Sequence, residues 1–216
     1  SFFALKKKIL YTNNYPHGIY YVNYKKSHNK YLLKYENSLR INIKKKLNDS
    51  QKIKAELKIS NIVKKATYIP YMIRVNYKKL EDIDYQSFDY VIYCHSFTDG
   101  QLWHGYAGFE NMLEWLEFTL DNLIKKNKKI LVKPHPNFYN RSLNAEAIWD
   151  KKIYDTVVKK YKKNKNLFFV KTPIHNYLLL KKLNIKCILL SGFGTAILES
   201  AYMNFKSICT SHNFSS

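Results

Sequence analysis

The sequence predicts an α/β fold built on a parallel sheet, and two observations in the second half of the 216-residue chain support this prediction. From residue 88 onward, short apolar stretches of strand length alternate with amphipathic helical patterns. Strands that alternate with helices form parallel sheets with right-handed crossovers. Five of the six glycines lie in two segments that follow predicted strands, where ligands of parallel sheets bind.

Each element follows from its own pattern. The strongest predicted helix is Phe109–Ile124, whose apolar residues recur every three or four positions. The acidic residues Glu110, Glu114, Glu117 and Asp121 mark its solvated side. The other predicted helices are 149–163, Ile174–Lys182 and Thr195–Met203. The predicted strands are Tyr90–Cys94, Lys129–Val132, Leu167–Val170, Ile185–Leu190 and Ser207–Thr210.

Residues 1–87 carry weaker patterns and predict a partial, mostly helical region before the α/β domain of residues 88–216. The Lys-rich segment Tyr31–Lys65 fits one or two amphipathic helices, and Asp49 or Ser50 would cap the second. The chain begins with Ser and stops just after the last predicted strand. We therefore expect a fragment of a longer protein, truncated at its C-terminus.

The net charge of +21 raises the question of whether the partner is a nucleic acid, an anionic substrate or an anionic membrane surface. The lysines are scattered among many Asn, Ile and Tyr residues, which indicates a coding bias and a solvated surface, and no nucleic-acid motif is present. We therefore expect no specific nucleic-acid partner. A noncatalytic basic module that binds nucleic acid or a polyanionic glycan stays as an alternative from another class. Anionic substrates and an anionic membrane surface suit the charge.

The expected cellular compartment, and the expectation of no metal site, rest on patterns that the sequence lacks. No run of about 18 apolar residues predicts a membrane span, and no secretory signal is evident. The cysteines Cys94, Cys187 and Cys209 form no CxxC pair and are interpreted as free thiols of a reducing compartment. We expect a cytoplasmic protein, peripheral at most on the inner membrane face, with no metal site and no cofactor.

The segment Leu190–Ala201 reads as strand, glycine turn and helix start, a geometry that presents backbone N–H groups to an anion. The glycines permit a sharp turn and close approach of a ligand. Hydroxyl donors and one carboxylate complete the pattern, with Thr195 as a candidate N-cap. An ordinary joint with a capping Thr and a solvated Glu is the alternative. The candidate residues are Ser191, Gly192, Gly194, Thr195 and Glu199.

The segment after the strand Lys129–Val132 reads Lys-Pro-His-Pro and contains the second candidate site. The two prolines restrict the backbone on either side of His135, which lowers the entropy cost of fixing its ring. A rigid histidine at this position can donate a hydrogen bond to a phosphate or protonate it as it leaves. Lys133 would add positive charge. A rigid surface turn with an incidental histidine is the alternative.

The segment 95–106 contains two histidines, an Asp, an amide and aromatic residues, a mixture that suits sugar or base recognition. Asp99 is a candidate general base, although Asp-Gly is also a common turn. We interpret His95 as structural.

The Lys-Pro-His-Pro segment, followed about 55 residues later by Ser-Gly-Phe-Gly-Thr-Ala-Ile-Leu-Glu-Ser-Ala, resembles the donor-binding half of GT-B glycosyltransferases. The resemblance covers roughly residues 88–210. It is strongest to bacterial capsule and surface polysaccharide biosynthesis proteins, including the Kdo-transferase-like ones. It implies a Rossmann-like domain in which His135, Ser191 and Thr195 contact the donor phosphate and Glu199 holds the ribose. The Ser-Gly-Phe-Gly-Thr sequence departs from the paired hydroxyl residues of many relatives.

The sequence therefore predicts a glycosyltransferase that moves a sugar from a nucleotide-activated donor to a surface polysaccharide or lipid-linked glycan. His135 and Asp99 are the candidate catalytic residues. A CDP-polyol phosphotransferase and a nucleotide-sugar epimerase are alternatives, because both need an anion site on the same fold.

Overall fold

A computed structural model describes residues 10–15, 18–23, 48–65, 77–98, 109–139, 145–192 and 196–210. The chain divides into two compact units, Ser1–Glu56 and Leu57–Ser216. The sequence-based division at residues 87 and 88 stays a prediction.

The described part of the first unit contains an antiparallel strand pair and the start of a helix. Strands β1 (Leu10–Tyr15) and β2 (Gly18–Asn23) pair along their whole length. The sequence predicts a mostly helical region over residues 1–87 and does not predict this pair. Tyr, Ile and Val are frequent in β2 and favour extended backbone, but so short a stretch gives no clear periodicity.

Helix α1 (Asp49–Lys65) begins where the sequence predicted a helix start, with a different capping residue. The side-chain oxygen of Asn48 accepts from the backbone N–H of Gln51 at 2.9 Å. The Gln51 side chain accepts from the Asn48 N–H at 3.0 Å. This reciprocal pair is a capping box, so the capping residue lies one residue before Asp49 and two before Ser50, the two predicted caps. Asp49 instead forms an exposed ion pair with Lys52.

The second unit contains the five-stranded parallel sheet that the sequence predicted. Its strands lie in the order β5–β4–β3–β6–β7, and every neighbouring pair is parallel. The strands are β3 (Tyr90–Tyr93), β4 (Ile130–Lys133), β5 (Leu167–Phe169), β6 (Ile188–Ser191) and β7 (Lys206–Cys209). The helices are α2 (Met112–Lys125), α3 (Ala145–Tyr161), α4 (Asn176–Lys182) and α5 (Ala196–Tyr202).

The α/β class is confirmed, and the differences lie at the ends of the elements. Strand β6 begins at Ile188 instead of the predicted Ile185, because Ile185 lies in a turn and is 55% exposed. Helix α3 begins at Ala145, four residues before the predicted start. A helical pattern changes gradually along the sequence, so its ends are the least determined part of the prediction.

The sheet is covered on both faces. Helices α2 and α3 pack on one face, in a core that includes Ile92, Leu116, Leu120 and Val132. Helix α4 packs on the other face through Leu179 and Leu180. Apolar residues of the segment 77–88 join this second core, and the Lys78 N–H donates to the Pro173 carbonyl at 2.8 Å. The segment before β3 therefore covers part of the sheet.

The strand order fixes where a ligand would bind. From β3 the chain continues to β4 and β5 on one side, whereas β6 and β7 lie on the other side of β3. The direction of winding thus reverses between β3 and β6. In open parallel sheets, ligands bind beyond the carboxyl ends of the strands at such a reversal.

We expect Leu116→Ala to lower the free energy of unfolding by about 2–5 kcal/mol, because the Leu116 side chain is fully buried in the core under α2. The matched control is Leu178→Ala, the same chemical change at a side chain that is 47% exposed, with an expected cost below about 1 kcal/mol. Chemical denaturation of both variants is the measurement. A cost for Leu116→Ala below about 0.5 kcal/mol contradicts the packing described above.

Candidate functional site

Three buried polar residues end three adjacent strands at the carboxyl edge of the sheet. Tyr93 closes β3, and its register partners are Lys133 on β4 and Ser191 on β6. All three are at least nine-tenths buried. Alternate residues of a strand point to opposite faces, so this row lies on the same face as Val91 and Leu131, the face that α4 covers. The sequence predicts Lys133 and Ser191 as site residues but gives no indication of Tyr93.

Lys133 is the central charge of this row. Its ammonium nitrogen lies 5.7 Å from the centre of the Tyr93 ring. Among the described residues, Lys133 Nζ forms no hydrogen bond and no ion pair. Burial lowers the pKa of Lys133, while the charge of Glu199 acts in the opposite direction. A buried ammonium that lacks an acceptor is favourably placed to bind an anion.

Glu199 is half-buried on α5 and is not the solvated residue of the alternative interpretation. The side-chain amide of Asn176 on α4 donates to Glu199 Oε2 at 2.6 Å. Burial raises the pKa of Glu199, whereas the bond from Asn176 and the charge of Lys133 lower it. Asn176 therefore orients this carboxylate, a role that the sequence pattern did not indicate.

His135 is half-buried and lies two residues after the end of β4. Its Nδ1 atom accepts a hydrogen bond from the Asn137 N–H at 3.3 Å, so the proton of the neutral ring is on Nε2. Burial, followed by the neighbouring His95 and Lys133, lowers the pKa of His135 to about 3. Without a ligand, His135 is thus a neutral hydrogen-bond donor and not a proton donor in the neutral pH range.

Two further histidines lie near these groups. The ring centres of His95 and His135 are 5.3 Å apart. His175 caps α4, because its Nδ1 accepts from the Tyr177 N–H at 3.2 Å. Burial and the charge of Lys133 lower the pKa of His175. Lys133 therefore acts electrostatically on histidines from two different segments, and sequence reasoning had assigned no role to His175.

A buried carboxylate on α3 holds the segment after β3. Asp150 Oδ1 accepts from the backbone N–H groups of Phe97 and Thr98, at 2.8 and 3.0 Å. The Thr98 hydroxyl donates to the same oxygen, and the Ser96 hydroxyl donates to Oδ2. Asp150 is 2% exposed. Sequence reasoning missed it, because nothing local to Asp150 indicates a partner more than 50 residues away.

Gly192 has a packing role in addition to the ligand approach that the sequence predicted. A Cβ atom at this position would collide with the side chain of Met112, the first residue of α2. The Gly192 carbonyl also accepts from the Cys209 thiol at 3.3 Å. The colliding atoms are the flexible end of the Met112 side chain, which can move aside, so packing alone does not require glycine at this position.

Three of the predicted site residues, Asp99, Gly194 and Thr195, lie outside the described residues. Their proposed roles as base, glycine turn and N-cap stay predictions. Of the other five, Lys133, Ser191 and Glu199 lie on one face of the sheet edge. His135 follows Lys133 by two residues, and Gly192 follows Ser191 directly.

Comparison with protein-family models, curated proteins and solved structures found no match to this chain. None of the helices in the described part of the chain is both long and apolar enough to cross a membrane. Within the same described ranges, no group of three or more His, Cys, Asp or Glu is arranged to hold a metal ion.

The described groups fit an anion better than a cation. One ammonium and two histidines, His95 and His135, lie at or just beyond the sheet edge, and Glu199 is the one carboxylate there that acts on Lys133. The neutral His135 ring can donate from Nε2, and Lys133 can donate up to three hydrogen bonds. A phosphate supplies acceptors for both.

We expect His135 to keep its Nε2–H tautomer from about pH 7 to about pH 5, whereas an ordinary histidine titrates near pH 6.5. The unfolded chain binds a proton at this residue below about pH 6.5, and the folded chain does so only near pH 3. The free energy of unfolding should therefore fall as the pH is lowered through this interval.

NMR spectra of the imidazole nitrogens, assigned with His135→Gln, follow the tautomer directly. Chemical denaturation at both pH values follows the stability, and His135→Gln should reduce its loss on acidification. A His135 ring that titrates between about pH 6 and 7 contradicts the tautomer and burial described here.

Proposed function

We propose that this protein is a glycosyltransferase that binds a nucleotide-activated sugar at the carboxyl edge of the sheet, between β3, β4 and β6. The observation that supports this proposal most strongly is the buried ammonium of Lys133, which has no hydrogen-bond acceptor among the described residues. Its position beside the reversal of strand order is where α/β sheets bind nucleotides. The resemblance of the two sequence segments to GT-B enzymes gives the reaction class.

In the proposed reaction, the bond between the anomeric carbon and the donor phosphate oxygen breaks. The same carbon forms a bond to an acceptor hydroxyl oxygen, whose proton passes to a base, for which Asp99 is the candidate. Negative charge then develops on the departing phosphate. Lys133 and the Nε2–H of His135 would stabilise that charge, together with hydroxyl donors from Ser191 and Thr195.

The proposed acceptor is a surface polysaccharide or a lipid-linked glycan, which places the reaction in the cytoplasm at the inner membrane face. The net charge of +21 favours an anionic lipid surface. Trp149 and Ile148 at the start of α3 are about half exposed, and Lys152 Nζ lies 4.6 Å from the Trp149 ring. Amphipathic residues of this kind suit a lipid interface. Sedimentation with vesicles of anionic and of neutral lipid is the measurement for this location.

We expect Lys133→Met to weaken nucleoside diphosphate binding by about 10- to 100-fold, because it removes a charged hydrogen-bond donor and keeps the apolar stem. The matched control is Lys129→Met, which removes the same charge from an exposed residue just before the amino end of the same strand. Calorimetry with CMP, CDP, UDP and GDP measures the nucleotide affinity of both variants and identifies the nucleobase that the protein prefers.

Equal losses in the two lysine variants, with a steep salt dependence and no nucleotide preference, would contradict the proposal. That result would favour the noncatalytic basic module, because counterion release depends on total charge and not on one buried lysine. Analysis of the product formed from a bound nucleotide sugar separates sugar transfer from epimerisation and from transfer of a polyol phosphate.

Glu199 is proposed to accept hydrogen bonds from the ribose hydroxyls through the carboxylate that Asn176 orients. We expect Glu199→Ala to weaken a ribonucleotide by about 1–3 kcal/mol, and its 2′-deoxy analogue by less. Calorimetry with the two nucleotides is the measurement. An unchanged preference for the ribonucleotide would contradict the proposed contact of Glu199 with the ribose.

A further inference from the structure

We propose that Asp150 is a positioning residue that fixes the segment after β3, so that the His95 ring stays in contact with the His135 ring at the carboxyl edge of the sheet. The link to anion binding rests on the proposed function, whereas the positioning of the two rings does not. Asp150 lies on α3, outside the row of strand-end residues, and it reaches the site only through the backbone that it holds.

The hydrogen bonds of Asp150 determine the path of three consecutive residues. Its two oxygens accept four hydrogen bonds from Ser96, Phe97 and Thr98, two of them from backbone N–H groups. A buried carboxylate is stable only where several donors replace its water, and this segment supplies them. Asp150→Asn would leave the two backbone N–H groups only a neutral acceptor and would replace the oxygen that accepts from Ser96 by an NH2 donor, so the segment would be held less firmly.

The donors of Asp150 are distant in sequence, which separates this arrangement from a local cap. Each of the four bonds crosses 52 to 54 residues. They join the first turns of α3 to the segment that leaves β3, and β3 is the central strand of the sheet. The Asp150 side chain therefore connects the carboxyl edge of the sheet to helix α3, which packs on one face of the sheet.

Two ring contacts join the segment after β3 to the segment after β4. The ring centres of Phe97 and Phe138 are 5.6 Å apart in a stacked arrangement, and those of His95 and His135 are 5.3 Å apart. Phe138 also contacts the His135 ring at 6.1 Å. Asp150 accepts from the Phe97 N–H and so fixes the backbone of one residue of the first ring pair. It also accepts from the hydroxyl of Ser96, which directly follows His95 of the second ring pair.

The consequence for the site is a fixed spacing between two imidazoles. His135 is held from its own side by the bond from Asn137 and by the contact with Phe138. His95 directly precedes the three residues that Asp150 anchors. A phosphate that contacts both rings would bind best when neither must be ordered on binding, because ordering costs free energy.

The test compares Asp150→Asn with two controls on the same helix. Asp155→Asn removes a carboxylate whose ion pair with Lys151 is exposed. Val157→Ala removes two methyl groups from a buried side chain and lowers stability without removing any of the hydrogen bonds between Asp150 and the segment after β3. Thr98→Val removes a single donor from an exposed residue and serves if Asp150→Asn does not fold.

Imidazole NMR spectra of the ligand-free protein are the first readout. We expect Asp150→Asn to shift the ring resonances of His95 and the titration of His135, and Thr98→Val to shift them in the same direction by less. Val157→Ala and Asp155→Asn should leave both unchanged, although Val157→Ala loses stability. Spectra of Asp150→Asn or Thr98→Val that match those of Val157→Ala would overturn the proposal.

Binding of a nucleoside diphosphate is the second readout, with an expected loss of about tenfold in Asp150→Asn and none in Val157→Ala. If the unmodified protein binds no nucleotide, the proposed function fails, and the imidazole spectra still decide whether Asp150 positions His95. If nucleotide binds equally to both variants while the spectra differ, Asp150 positions the rings and the rings do not bind the phosphate.

Discussion

Burial of one ammonium group, that of Lys133, is the constraint on which the candidate site depends. Removal of an ammonium from water costs several kcal/mol, and no direct ion pair offsets this cost among the described residues. The partial compensation comes from Glu199 and from the face of the Tyr93 ring. The same charge lowers the pKa values of His135 and His175 and so favours their neutral forms. A bound anion would relieve all of these effects together.

The parallel sheet makes this burial achievable. Strands β3, β4 and β6 are central, and helices cover both of their faces, so residues at their last positions are removed from water. The same register that buries Lys133 places Tyr93 between it and Ser191. Polar residues at the end of a buried strand are costly to the fold, which is why their presence indicates a site at this edge.

The segments beyond the strands are held by contacts of different kinds. A carboxylate, Asp150, fixes the segment after β3, and ring contacts join that segment to the one after β4. At the end of β6, Gly192 packs against the side chain of Met112. Rigid supports of this type allow donor groups to be in place before a ligand binds, which lowers the entropy cost of binding.

The sequence by itself determined the α/β class, the alternation of elements and the candidates at the strand ends, because periodicity and turn chemistry are local properties of the chain. It placed Lys133 and His135 after one strand and Ser191 at the end of another. Tertiary structure decided which strands are neighbours, and hence that Tyr93 separates Lys133 from Ser191. Only tertiary structure revealed Asp150, because a buried carboxylate and its donors more than 50 residues away leave no periodic trace in the sequence.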